Sequence, residues 1–224
     1  MNTTLQRLVG YAFAYYSRSI QKTFRVQIHG WEPLELLIQR NEPVVGAGLH
    51  AHTRVAAAVA RHLPTPATKQ ICGIIAGDER RVLLETFNNK LGFLTYAIDM
   101  QEDSFRAARE LLRVMRDLKS NRIAYIYLAV DGPDGPANVP KPGAAFIAQR
   151  LEATIVPVAF NSPQAIILRS RWDQMAFPVP FSDVYVYFGE PFAVTKEMDR
   201  DEVLDNISQS LKLANAHVKS MAAG

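Results

Sequence analysis

Apolar positions along this chain switch between two spacings, and the switching predicts strand followed by helix over most of its length. Apolar, β-branched or aromatic runs predict strands over 24–29, 43–49, 70–76, 93–98, 123–130, 154–161 and 183–189. Apolar residues three and four apart predict helices over 55–63, 79–91, 104–119, 143–151 and 201–221. In the 104–119 helix the expected apolar face is Phe105, Ala108, Leu111, Leu112, Met115 and Leu118. The last helix is expected to bury Val203, Leu204, Ile207, Leu211, Ala214 and Val218. Such alternation predicts an α/β fold, with a mixed, partly parallel sheet flanked by helices on both faces. Ligands of these sheets bind outside the carboxyl ends of the strands.

Ahead of the first strand, Leu5, Leu8, Val9, Ala12, Tyr16 and Ile20 recur at helical spacing, with Arg7, Arg18, Gln21 and Lys22 elsewhere on the wheel. Tyr11, Phe13 and Tyr15 widen the apolar side. The division expected is an amphipathic basic helix over 1–23 and one α/β domain over 24–224. The helix suits a membrane surface, basic residues toward anionic headgroups, or a packed position across the domain. Charge distribution sharpens this. Residues 1–31 hold Arg7, Arg18, Lys22 and Arg25 and no acid, leaving 21 basic and 22 acidic residues in the remainder. A net charge of +3 is too small to imply nucleic acid. The N-terminus lacks the pattern of a cleaved signal, and no apolar run reaches the roughly 18 residues that a membrane span needs. The single Cys72, inside an apolar run, reads as a reduced core thiol. The location expected is the cytoplasm, or the inner face of the cell membrane as a peripheral protein.

Three polar clusters fall at predicted strand ends: His50-Ala51-His52-Thr53-Arg54, Gly77-Asp78-Glu79-Arg80-Arg81, and Asp131-Gly132-Pro133-Asp134-Gly135-Pro136. A histidine ending a strand is placed for general-base work, since its ordinary pKa lies near neutrality, or for capping the next helix. A metal role for it lacks a third ligand nearby in sequence. Asp131 can orient a histidine, while the tandem Asp-Gly-Pro is also sound turn chemistry. Arg54 and Lys141 offer positive charge to a substrate carbonyl or phosphate. Gly46-Ala47-Gly48 begins like a dinucleotide fingerprint but lacks the third glycine. The absence of a Gly-x-Ser-x-Gly elbow argues against a serine hydrolase.

Further along come Lys141-Pro142-Gly143 with Ile147-Ala148, Ile155-Val156-Pro157-Val158, Arg171-Trp172-Asp173, Pro178-Val179-Pro180-Phe181-Ser182 and Gly189-Glu190-Pro191. Together with Leu49-His50, Ala76-Gly77-Asp78-Glu79 and the Asp131–Pro136 loop, this ordered set resembles the lysophospholipid acyltransferase-like superfamily. That group includes glycerol-3-phosphate, lysophosphatidate and lipid A acyltransferases. The likeness is to a compact bacterial branch in particular and covers about residues 24–195. It implies an acyltransferase in which a histidine deprotonates an acceptor hydroxyl that attacks an acyl thioester, while a carboxylate holds the imidazole. The resemblance makes His50 the base. It implies acyl-CoA or acyl carrier protein as co-substrate, with no metal or other cofactor.

Two departures from the family pattern matter. The usual His-x4-Asp aspartate is absent: Val55 lies five residues after His50 and Ala57 five after His52. Asp131 is then the expected partner of His50. Where many relatives carry arginines, this chain has Asp134 and Ala97-Ile98-Asp99, an exchange that disfavours phosphate and points to a neutral or cationic acceptor group there. On this reading the substrate-binding residues are His52, Arg54, Asp78, Asp99, Gly132, Asp134, Gly135 and Lys141. A non-catalytic lipid or acyl-carrier-binding protein on the same fold remains the alternative.

Overall fold

The computed structural model describes residues 2–98 and 104–223, apart from the side chains of Ala76 and residues 104–108. Asp99, Phe105 and Ala108 therefore lie outside what is described at side-chain level. The elements run α1 (Thr3–Ile20), β1 (Arg25–His29), α2 (Trp31–Gln39), β2 (Val44–Gly48), α3 (Thr53–Val59), β3 (Gln70–Ala76), α4 (Arg81–Leu91) and β4 (Leu94–Ile98). They continue α5 (Ser104–Lys119), β5 (Ile123–Ala129), α6 (Pro142–Leu151), β6 (Thr154–Asn161), β7 (Ile166–Ile167), β8 (Ala176–Phe177), β9 (Asp183–Phe188), β10 (Phe192–Ala193) and α7 (Arg200–Met221).

The main sheet has the order β1-β9-β6-β2-β5-β3-β4, with β10 also pairing β6. β6, β2, β5, β3 and β4 are mutually parallel, while β9 runs antiparallel to β6 and carries β1 parallel to itself. This is the mixed, partly parallel α/β sheet expected. Its strands are near-continuous apolar runs because both faces are covered. On one face Trp31, Leu34 and Ile38 of α2 and Val55, Ala58 and Val59 of α3 pack on Val44, Tyr125, Val156 and Val158. On the other, Val114 of α5, Ala144 and Ile147 of α6 and Val203, Ile207 and Leu211 of α7 pack on Val45, Ala47, Ile126 and Ile155. Cys72 is buried in this second core and unpaired.

Glycines shape the first face. A Cβ at Gly46 would press on the Tyr125 ring and one at Gly48 would overlap Tyr127. The Gly46-Ala47-Gly48 run thus clears β2 so that two tyrosines of β5 can lie across it.

Several features differ from the sequence expectation. α2 is a helix that the periodicity did not single out, and the β7–β8 hairpin and β10 were also unexpected. In α5, Leu111 and Val114 are buried while Leu112 is 64% exposed, so Val114 and not Leu112 belongs to the inward face. Leu204 of α7 is only partly buried. Finally, α1 packs along α4, with Gln6 accepting from the Leu83 N–H, Gly10 against Leu83 and Thr86, and Ala14 beside Phe87 and Leu91, while Ile20 enters the core of the first face. Gly10 permits the approach, since a Cβ there would meet the Leu83 carbonyl oxygen at 2.8 Å. Leu5, Leu8, Tyr11 and Tyr15 consequently face outward.

Candidate active site

Strand register brings the site together. Gly48 of β2 pairs with Ala129 of β5, and the Val130 N–H donates to the Gly48 carbonyl at 2.9 Å. Two residues beyond that pair, His50 and Asp131 stand side by side at the carboxyl edge of the parallel strands. Asp131 Oδ1 accepts from the His50 backbone N–H at 2.8 Å and lies 3.3 Å from His50 Nδ1, while Oδ2 accepts from the Asn138 N–H at 2.9 Å. Asp131 is 1% exposed. Burial pushes its carboxyl up, but the bonds from the His50 ring and the His50 and Asn138 backbone outweigh that and hold it below the usual carboxylate range. A carboxylate only accepts, so the proton belongs on Nδ1 and Nε2 presents its lone pair outward.

The loop that follows fits tightly around this imidazole. A Cβ on Gly132 would overlap the His50 ring. Trp172 lies 5.5 Å from His50 between ring centroids and also covers Gly135, whose φ of +74° and contact with the indole both require glycine. Trp172 is fixed by its neighbours, since Arg171 donates twice to the buried Asp173, at 2.9 Å each. Both Gly–Pro bonds of the loop are cis.

His50 opens on a cavity of about 750 Å³ whose lining is mostly apolar. Its greater part runs along the α2–α3 face, between Gly73, Ile71 and Tyr125 of the sheet and Ala57, Ala60 and Phe87 of the helices. It also crosses the sheet edge toward Leu128, Ala144 and Ile147. Gly132, Asp134, Asp78, Lys141 and Arg54 all line it. Asp78 accepts from the Arg80 backbone at 2.8 Å and from its guanidinium; burial raises the Asp78 carboxyl, yet these bonds leave it below its ordinary range. Arg54 lies under Phe87 and Phe13, 4.8 and 5.4 Å from the ring centroids.

Two expected residues stand elsewhere. His52 is not among the cavity-lining residues. The helical turn at His50–His52 carries its ring down beside Phe160, and burial lowers its pKa to about 4, so it stays neutral. Gly135 supports Trp172 and does not itself line the cavity. Trp172, Tyr127 and Phe87 are site residues that sequence reasoning did not assign. The Tyr127 hydroxyl is buried over Gly48 with no hydrogen-bond partner among the described residues. Among the described residues no three His, Cys, Asp or Glu side chains converge as metal ligands, and no helix is long and apolar enough to cross a membrane. No protein-family model matches the chain and no curated protein matches it, so the chemistry of this site is read from its own residues.

Proposed function

We infer that the protein is an acyltransferase that moves an acyl group from a thioester, acyl-CoA or an acyl carrier protein, to a hydroxyl or amine. The observation that carries this reading is the His50–Asp131 pair at the mouth of a largely apolar cavity. His50 Nε2 takes the acceptor's proton as its oxygen or nitrogen attacks the thioester carbonyl. The tetrahedral intermediate then collapses, the C–S bond breaks, and the imidazolium returns the proton to the leaving sulfur. Asp131 stabilises the imidazolium through Nδ1. Backbone N–H groups of Gly132 and Asp134 are suited to the developing oxyanion. The acyl chain lies along the apolar lining, whose stretch from Ile71 to Gly77 spans about 20 Å of strand. No metal or further cofactor is required by this chemistry.

Asp78 is paired with Arg80, and Glu79 and Asp134 add two further acids to the lining against Lys141. An acceptor that is neutral or cationic there fits it better than a phosphate monoester does. Mass spectrometry of products formed from a decanoyl thioester and a panel of acceptors tests this. Amines or neutral hydroxyl compounds should be acylated faster than lysophosphatidate. Efficient acylation of lysophosphatidate alone would overturn the acceptor assignment. The alternative of a non-catalytic lipid or acyl-carrier-binding protein draws on the cavity alone, and gains if thioesters bind without turnover.

The outward face of α1 favours a lipid surface as the working location. Leu8 is 61% exposed, and Leu5, Tyr11 and Tyr15 accompany it. Arg7 is exposed on this helix and Lys22 in the turn that follows it, and Lys90 lies over the Tyr11 and Tyr15 rings. This apolar stripe with a basic border matches an anionic leaflet, here the inner face of the cell membrane. Co-sedimentation with phosphatidylglycerol-containing vesicles should fall about tenfold or more in a Leu8→Glu, Tyr15→Glu variant, and should weaken with salt. Unchanged partition would place the protein in solution.

A further inference from the structure

We propose that the cavity binds single-chain carboxylates, fatty acids in chemical class, with the carboxylate paired to Arg54 and the chain laid along the α3 side of the sheet. The proposal starts from an imbalance of charge. Three arginines line the cavity. Arg80 is bound to Asp78, and Arg171 is forked on Asp173. Among the described residues no oxygen accepts a hydrogen bond from Arg54. Its guanidinium has only the faces of Phe13 and Phe87. The carboxylate that acts on it through space, Asp173, already has both oxygens engaged by Arg171.

A half-buried cation without a counter-ion is costly, and two ring faces offset only part of that cost. Burial accordingly lowers the Arg54 pKa to about 10, which still leaves it charged at neutral pH. An anion entering the cavity relieves the imbalance. The charge count selects among anions: one free guanidinium is neutralised by one carboxylate, whose two oxygens match the guanidinium fork. Lys141, the other cation of the lining, is offset there by Glu79 and Asp134, so a phosphate dianion would add surplus negative charge.

Beyond Arg54 the same α3 surface continues as Ala56, Ala57 and Ala60 and ends at Leu63, with Ile71 and Phe93 opposite. These residues offer no polar group to a ligand's tail and leave room because three of them are alanines. The ligand is therefore an unbranched apolar chain with a terminal monoanion. It occupies the space that the transferred acyl chain would use, so a free fatty acid competes with the thioester donor. Binding itself depends on the cavity and Arg54 and stands independently of whether transfer occurs.

Calorimetric titration of the full chain with decanoate, decan-1-ol and decyl phosphate tests the proposal. Decanoate should bind about tenfold or more tightly than decanol, the ratio expected of a charge-assisted pair. Arg54→Gln should remove that advantage while leaving decanol within about twofold, and Ala57→Phe should weaken both ligands by filling the apolar part. Equal binding of decanoate and decanol to the wild type overturns the proposal, a comparison that needs no variant to fold. Decyl phosphate binding about tenfold more tightly than decanoate overturns the choice of carboxylate. Failure of thioester turnover with decanoate binding intact would count against the transferase alone.

Discussion

Replacing His50 with alanine is expected to lower acceptor-dependent thioester turnover by about a thousandfold, within the range set by loss of a general base, while the cavity still binds the donor. The main hold on Asp131 does not depend on the imidazole: the His50 N–H, which stays in the variant, keeps its 2.8 Å bond to Asp131. Thermal unfolding should therefore change little. Asp131→Asn is the sharper form of the experiment. The carboxylate accepts from two backbone N–H groups and from Nδ1, and an amide oxygen cannot replace both of its oxygens. If the amide NH2 turns to His50, it claims the Nδ1 lone pair and forces the proton onto Nε2, where the base is needed. Turnover should fall by a similar factor. One buried N–H also loses its acceptor, at a cost of about 1–3 kcal/mol in stability. That cost has a sign with pH. The Asp131 carboxyl is held below its ordinary range in the folded state, so its stabilisation is complete above the unfolded value of about 4. It is lost as pH falls through the lower folded value, and the difference between wild type and Asp131→Asn should close there.

Gly132→Ala is expected to lower turnover by about a hundredfold through displacement of His50, the size of loss that follows a misplacement of about 1 Å. Gly132 has no left-handed φ, so alanine is tolerated by the backbone itself. What it cannot avoid is the imidazole, which its Cβ would overlap. The loop is held on one side by Asp131, whose oxygens are bound to both His50 and Asn138, and on the other by Trp172 packed over Gly135. The freer partner is His50, whose side chain is one-quarter exposed. It should turn away from Asp131 while the fold and the deep cavity persist. Crystallography of the variant, with decanoate titration as a check on the cavity, measures both halves of that statement.

Much of this architecture can be read in the sequence because the strands are buried on both faces. Ile71-Cys72-Gly73-Ile74-Ile75 and Ile123-Ala124-Tyr125-Ile126 are apolar runs that no surface segment would carry. The site was legible at its strand ends, where His50 and Asp131 each follow an apolar run by one or two residues. Their pairing was expected only through the family resemblance, with Asp131 in place of the absent His-x4-Asp aspartate; the strand pattern alone does not give it, because it depends on β2 pairing with β5, a strand more than seventy residues later. α2 was obscured by its nine-residue length and by Pro33 in its first turn. Trp172 gave a weak local sign, an aromatic between an arginine and an aspartate that pair with each other. The inward face of α1 could not be read from hydrophobicity, since close approach to α4 selects small and polar residues, Gly10, Ala14 and Ser17, over the larger apolar ones. His52 shows the converse limit. Two histidines two residues apart look equivalent in sequence, yet the turn between them sends one to the cavity mouth and the other beside Phe160.

The central claim is that His50, held by Asp131 beside an apolar cavity, activates an acceptor against an acyl thioester. Its most direct test is thiol release from a long-chain acyl thioester, followed with and without a hydroxyl or amine acceptor, in the wild type and in His50→Ala. Release by the wild type should require the acceptor and should nearly disappear in the variant. Release that proceeds equally in both proteins, or no release with any acceptor, would contradict it.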